Sequence, residues 1–71
     1  KIYPNPTTSK IFIQNNNFDS YSIFDAVGRF VTNGKIKNDV INVDTLPSGK
    51  YVLLLLNEKL KSTISYQFIK A

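Results

Sequence analysis

Apolar and polar residues alternate along most of this chain, and one run breaks the alternation. Tyr51-Val52-Leu53-Leu54-Leu55-Leu56 carries no charge over its whole length. It is far shorter than the roughly 20 residues that cross a membrane as a helix. Gly49 bounds it on one side and Asn57-Glu58-Lys59 on the other, so it predicts one strand. A half-exposed strand alternates apolar with polar; this one does not, so both of its faces require cover. Tyr51, Leu53 and Leu55 share one face and are expected to line a core. Val52, Leu54 and Leu56 share the other, which needs either a neighbouring part of the fold or a partner. In front of the run, Leu46-Pro47-Ser48-Gly49 predicts a tight turn, with Pro47 pre-set for its second position and Gly49 able to take the positive φ that ends it.

The same pattern predicts the other elements. Lys1-Ile2-Tyr3-Pro4-Asn5-Pro6 is an extended lead-in, because a residue before proline is pushed out of helical space. Lys10–Gln14 predicts a strand with Ile11 and Ile13 on one side, and the Asn15-Asn16-Asn17 run a loop. Tyr21–Asp25 predicts a strand with Tyr21 and Ile23 inward, and Asp25-Ala26-Val27-Gly28-Arg29 a hairpin connection. Phe30–Asn33 returns with Val31 as its core residue. Asn33-Gly34 reads as a further turn, and Lys35-Ile36-Lys37 continues the pairing. Val40–Val43 predicts a brief strand with Ile41 and Val43 inward. Ser62–Lys70 is the last strand, in which Ile64, Tyr66 and Phe68 alternate with Ser65 and Gln67. No window shows an apolar period of 3.6, and about seven short strands with turn signals between them argue an all-β sandwich.

Composition narrows the function classes. Seventy-one residues make one small domain that buries roughly 60% of the surface its unfolded chain exposes. There is no Cys, His or Met. The absence of an initiating Met predicts a piece of a longer chain. Without Cys there is no disulfide framework, and without Cys or His the usual transition-metal ligands are missing. Asp19, Asp25, Asp39, Asp44 and Glu58 are scattered beside turns and read as turn caps, not as an acid–base pair. No phosphate loop, nucleophile motif or cofactor motif is present. The Asn15, Asn16, Asn17 and Asp19 oxygens could face Ca²⁺, but one carboxylate is little charge for such a site. The net charge of +4 invites a nucleic-acid reading. The lysines, however, are spread over strand ends and edges, where they discourage edge pairing, and the aromatics read as core.

The order of these signals resembles the C-terminal sorting domain, type A, carried by cargo of the bacterial type IX secretion system. The matching residues are Tyr3-Pro4-Asn5-Pro6-Thr7 with Ile11-Phe12-Ile13, then Ile23-Phe24-Asp25 with Gly28-Arg29 and Val31. After them come Ile41-Asn42-Val43, Leu46-Pro47-Ser48-Gly49-Lys50-Tyr51-Val52-Leu53 and the closing Phe68-Ile69-Lys70. The match spans essentially the whole chain. Each piece alone is weak; their order within this length is specific. Ser9 stands where the family often has Gly, and Ala71 follows the final Lys70.

The resemblance implies an immunoglobulin-like β-sandwich at the C-terminus of a larger exported protein, serving as an address and not as an enzyme. It implies recognition by the translocon and an outer-membrane shuttle protein. A sortase then removes the domain and joins the N-terminal cargo to the cell surface, after passage through the periplasm. No cofactor, metal or nucleic acid is expected. The recognition residues expected on this basis are Pro4, Asn5, Pro6, Gly28, Gly49, Tyr51 and Lys70, with Gly28 and Gly49 acting through turn shape. Val52, Leu54 and Leu56 are expected to form an apolar strip that meets the translocon, and through which isolated domains would pair as dimers. The rival reading is an adhesion or carbohydrate-binding sandwich, for which Tyr3, Phe18 and Phe30 are the candidate aromatics. A third is an accessory domain packed on an enzyme.

Overall fold

The computed structural model describes residues 1–14 and 17–71. Among them seven strands form two sheets: β1 (Ile2–Tyr3), β2 (Lys10–Ile13), β3 (Ser20–Asp25), β4 (Phe30–Lys35), β5 (Val40–Asn42), β6 (Gly49–Asn57) and β7 (Ser62–Lys70). One sheet has the order β1-β2-β5 and the other β4-β3-β6-β7, with every neighbouring pair antiparallel. Ile2, Ile11, Ile13, Ile41 and Val43 from the first sheet and its flank meet Ile23, Tyr51, Leu53, Leu55 and Phe68 from the second in one buried cluster. The expected all-β, two-layer sandwich is what this sequence builds.

β6 is the centre of the larger sheet, paired with β3 along one edge and β7 along the other. Its inner row is Tyr51, Leu53 and Leu55, with Leu53 and Leu55 fully buried. Its outer row, Val52, Leu54 and Leu56, is half-buried. Tyr51 stacks on Phe68 with ring centroids 5.4 Å apart. Its hydroxyl donates a 2.6 Å hydrogen bond back to the Pro47 carbonyl. A tyrosine at the start of a strand, bonded to backbone a few residues upstream, is a corner found in immunoglobulin-like sandwiches. It fixes how the chain crosses from the β5 sheet to the β6 sheet.

Three expectations need correction. Asn33-Gly34 does not turn; both residues lie inside β4, opposite Ser22 and Tyr21. A side chain at position 34 would place its Cβ 2.9 Å from the Tyr21 hydroxyl and 3.1 Å from ring carbons. Gly34 thus leaves room for the Tyr21 ring to lie across the sheet and pack on the core. The reversal comes later, at Asn38-Asp39, where both residues are left-handed (φ 56° and 59°) and the Val40 amide donates to the Lys37 carbonyl. Two consecutive left-handed residues make a hairpin turn whose twist suits the flanking chain, and Asn and Asp tolerate that conformation. Val31 is exposed, not core. The register slips between Ile23 and Phe24, so that Thr32 and Phe30 oppose them and Val31 bulges from the ladder. Ile64 is also exposed, because it sits on the outermost strand of the sheet.

The two faces of β6 make opposite predictions. Leu53→Lys places a charge in a fully buried site and should abolish cooperative unfolding. Leu54→Lys can send its ammonium to solvent and should leave the domain folded, with a melting temperature within about 8 °C of the parent, a shift worth about 1 kcal/mol at this size. Thermal melting followed by circular dichroism checks both, and an unfolded Leu54→Lys variant would place Leu54 in the core.

Candidate functional site

The residues singled out from the sequence are distant along the chain; the fold brings Pro4, Asn5, Pro6, Gly28, Gly49, Tyr51, Val52 and Lys70 toward one end of the sandwich, while Leu54 and Leu56 run along β6 away from it. Strand register explains how. Gly49 lies opposite Lys70, Tyr51 opposite both Asp25 and Phe68, and Lys50 opposite Ile69. The β3–β4 hairpin carrying Gly28 therefore ends beside the start of β6 and the finish of β7. The lead-in segment completes the group, since Asn5 lies against Gln67 and Ile69. An open depression of about 530 Å³ occupies this end, lined by Asn5, Ala26, Lys50, Val52, Gln67 and Ile69 among others.

Asn5 has a defined task here. β7 is the last strand of its sheet, so its outer backbone groups have no strand to pair with. The Asn5 side chain substitutes for one. Its Oδ1 accepts from the Ile69 amide at 2.9 Å, and its Nδ2 donates to the Gln67 carbonyl at 3.2 Å. Thr7 continues the cover: its amide donates to the Ile69 carbonyl at 2.9 Å, and its carbonyl accepts from the Ala71 amide at 2.7 Å. Thr7 is almost fully buried, and its hydroxyl donates to the Lys10 carbonyl. Pro4 and Pro6, each preceded by a cis peptide bond, flank Asn5.

Lys70 is 8% exposed, unusual for a lysine. Its Nζ donates to the Leu46 carbonyl at 3.0 Å, which ties the end of β7 to the turn before β6. Tyr51, 8% exposed, is equally enclosed. Both hold the shape of this end from within, and sequence reasoning, which reads a terminal lysine as solvated, missed the burial of Lys70.

The β3–β4 turn is built on Asp25. Its Oδ1 accepts from the amides of Val27 (3.1 Å) and Arg29 (2.9 Å), and its Oδ2 pairs with Arg29 Nε at 2.9 Å. Gly28 takes φ 88°, where an L side chain is strained, and its amide donates to the Asp25 carbonyl. The Arg29 amide does most to hold the Asp25 carboxyl below its ordinary range, against an opposing desolvation effect, with the Arg29 guanidinium and the Val27 amide adding to it.

The outer face of the four-stranded sheet is uneven. Around Leu54 and Leu56 the cross-strand neighbours are Ser22, Ser65, Ser20 and Thr63, all hydroxylic. Around Val52 they are Phe24 and Gln67, and Phe24 in turn lies opposite Phe30, with the two rings edge-on at 6.0 Å. The apolar strip expected along β6 is thus bordered by apolar neighbours only at its Val52 end.

The aromatics of the carbohydrate reading do not gather. Tyr3 stacks on Phe12 on the small sheet, Phe18 packs against the core and Phe30 lies on the large sheet. Of the proposed Ca²⁺ oxygens, Asn15 and Asn16 lie outside the described residues. Among the described residues no three Asp or Glu side chains come together to hold a metal ion.

A family model described as a secretion system C-terminal sorting domain matches residues 1–70. No curated protein matches the chain significantly.

Two predictions follow from the turn and the clasp. Folded Asp25 releases its proton more readily than unfolded Asp25, so its turn is fully stabilised above the unfolded value of about 3.9 and weakens as pH falls through the lower folded value. A carboxyl-carbon NMR titration should give Asp25 a midpoint below that of an unfolded reference peptide; a midpoint at or above the reference would contradict the bonded turn. For the clasp, Asn5→Ala should speed hydrogen exchange of the Ile69 amide by about tenfold, the loss of roughly one hydrogen bond, while leaving Leu53 protected. Unchanged exchange at Ile69 would remove Asn5 as the cover of β7.

Proposed function

The chain belongs to the secretion system C-terminal sorting domain family, and on that premise we propose that its sorting message is read as the shape of one end of the folded sandwich. Its role is that of a C-terminal sorting signal for the type IX secretion system, which directs an attached cargo to the cell surface or the extracellular space. Such a family is not an enzyme family.

The finer reading is ours. The domain engages the translocon and an outer-membrane shuttle protein while in the periplasm, and a sortase then separates it from its N-terminal cargo for surface attachment. Pro4, Asn5, Pro6, Gly28, Gly49, Tyr51 and Lys70 form the recognised end, by contact or by holding its shape. Val52, Leu54 and Leu56 lie on the face offered to the machinery. The observation that supports this reading is the convergence of Asn5, Gly49, Tyr51 and Lys70, from both ends and the middle of the chain, onto one end. Burial of Tyr51 and Lys70 favours recognition of an outline over recognition of these side chains.

Fusion of residues 1–71 to the C-terminus of a passenger, in a host with this secretion system, tests the reading. Delivery of the passenger to the surface, lost when Lys70→Ala releases the Leu46 carbonyl, is the expected result. Retention of the parent fusion inside the cell would refute it. Delivery undiminished by Lys70→Ala would refute the role of the clasped end.

A further inference from the structure

We propose that Asn33 is a site of spontaneous deamidation that the fold keeps closed: the unfolded chain loses ammonia at Asn33-Gly34, and pairing of β4 with β3 prevents it. The sequence holds one Asn-Gly step, and it is this one. Instead of turning the chain, it lies inside β4. The reaction consumes water and needs no partner.

The chemistry is a ring closure. The deprotonated backbone nitrogen of Gly34 attacks Cγ of Asn33. The new N–Cγ bond forms, the Cγ–Nδ2 bond breaks, and the amide proton ends on the departing ammonia. Water then opens the five-membered succinimide. Opening at Cγ gives aspartate; opening at the main-chain carbonyl gives isoaspartate, whose main chain runs through Cβ and Cγ. Glycine after the asparagine favours the attack, because no side chain shields its nitrogen and its backbone turns freely. Asn42 is followed by β-branched Val43, which crowds the approach, and Asn5 by Pro6, which has no N–H to lose.

Strand pairing withholds both things the reaction needs. Bonded pairs recur at every second residue of an antiparallel ladder. The Ile36 amide donates to the Asp19 carbonyl, and the register runs unbroken from Ser20–Lys35 to Ile23–Thr32. Gly34 and Tyr21 are therefore a bonded pair, and the Gly34 amide is committed to β3 instead of free to lose its proton. The ring also needs the Gly34 nitrogen on the same side as the Asn33 Cβ, and the extended ψ of a strand, about 135°, carries it away. The Asn33 side chain is exposed and has no hydrogen-bond partner among the described residues, so the main chain alone bars the reaction. β4 is an outermost strand, so the bar lifts whenever β4 leaves β3. The isoaspartate product is lasting damage. Its extra backbone atom moves position 34 out of register with Tyr21, where even a Cβ would fall 2.9 Å from the Tyr21 hydroxyl. The aspartate product keeps the backbone and only adds one negative charge.

The test holds the 71-residue chain at mildly alkaline pH, in buffer and in guanidinium chloride, and follows each asparagine by peptide mass spectrometry. In guanidinium, Asn33 should convert about tenfold or more faster than Asn42. In buffer, conversion at Asn33 should fall by about tenfold or more, in step with the hydrogen-exchange protection of the Gly34 amide, since both need that amide released. The coreless Leu53→Lys variant should convert in plain buffer as fast as the parent does in guanidinium, which separates unfolding from any effect of the denaturant. Chains carrying isoaspartate, isolated and returned to buffer, should melt below the Asn33→Asp variant, which has the same charge and an unaltered main chain. Equal conversion of Asn33 in buffer and in guanidinium would overturn the closure by the fold. An Asn33 no faster than Asn42 in guanidinium would remove it as the site. Isoaspartate chains that melt with the Asn33→Asp variant would refute the lasting damage to β4.

Discussion

Among the described residues, one layer of side chains between two small sheets makes up the apolar interior, and β6 supplies its middle. Leu53 and Leu55 have no exposure, and Tyr51 and Phe68 stack beside them. Among the described residues of so short a chain, no second core compensates for a defect in the first. The surrounding features serve that layer. The Tyr51 hydroxyl fixes the crossover between sheets, Gly34 makes room for Tyr21 over the core, and Lys70 pins the last strand to the turn that introduces β6.

Much of this was legible in the residues. The uncharged run at 51–56, bounded by turn residues, reads as a strand, and its Tyr51, Leu53 and Leu55 face lines the core as expected. Asp25 followed by Gly28 reads as a turn through ordinary side-chain-to-backbone chemistry, and the bonds are those expected. The gathering of the site was not legible. Asn5 between two prolines reads as loop, and nothing local says that its amide will stand in for a missing strand at residues 67 and 69. Lys70 closes a strand and reads as solvated; its burial depends on the Leu46 carbonyl arriving from another part of the chain.

The misread turn at Asn33-Gly34 shows the same limit. Taken locally, that dipeptide favours reversal of the chain. What decides is the Tyr21 ring on the neighbouring strand, a tertiary fact. Val31 was displaced by the bulge opposite Ile23 and Phe24, since one extra residue flips every later side chain across the sheet. Local chemistry located the elements; their mutual packing chose between the alternatives that local chemistry left open.

The clasp between the lead-in and β7 carries a consequence for timing. Asn5 meets Ile69 across 64 positions of sequence, and Thr7 meets Lys70 across nearly the entire chain. Contacts between remote segments form late, after the intervening loops have closed. That end of the molecule therefore does not exist on a half-made domain, and a receptor that fits it is also a gauge of whether folding has finished.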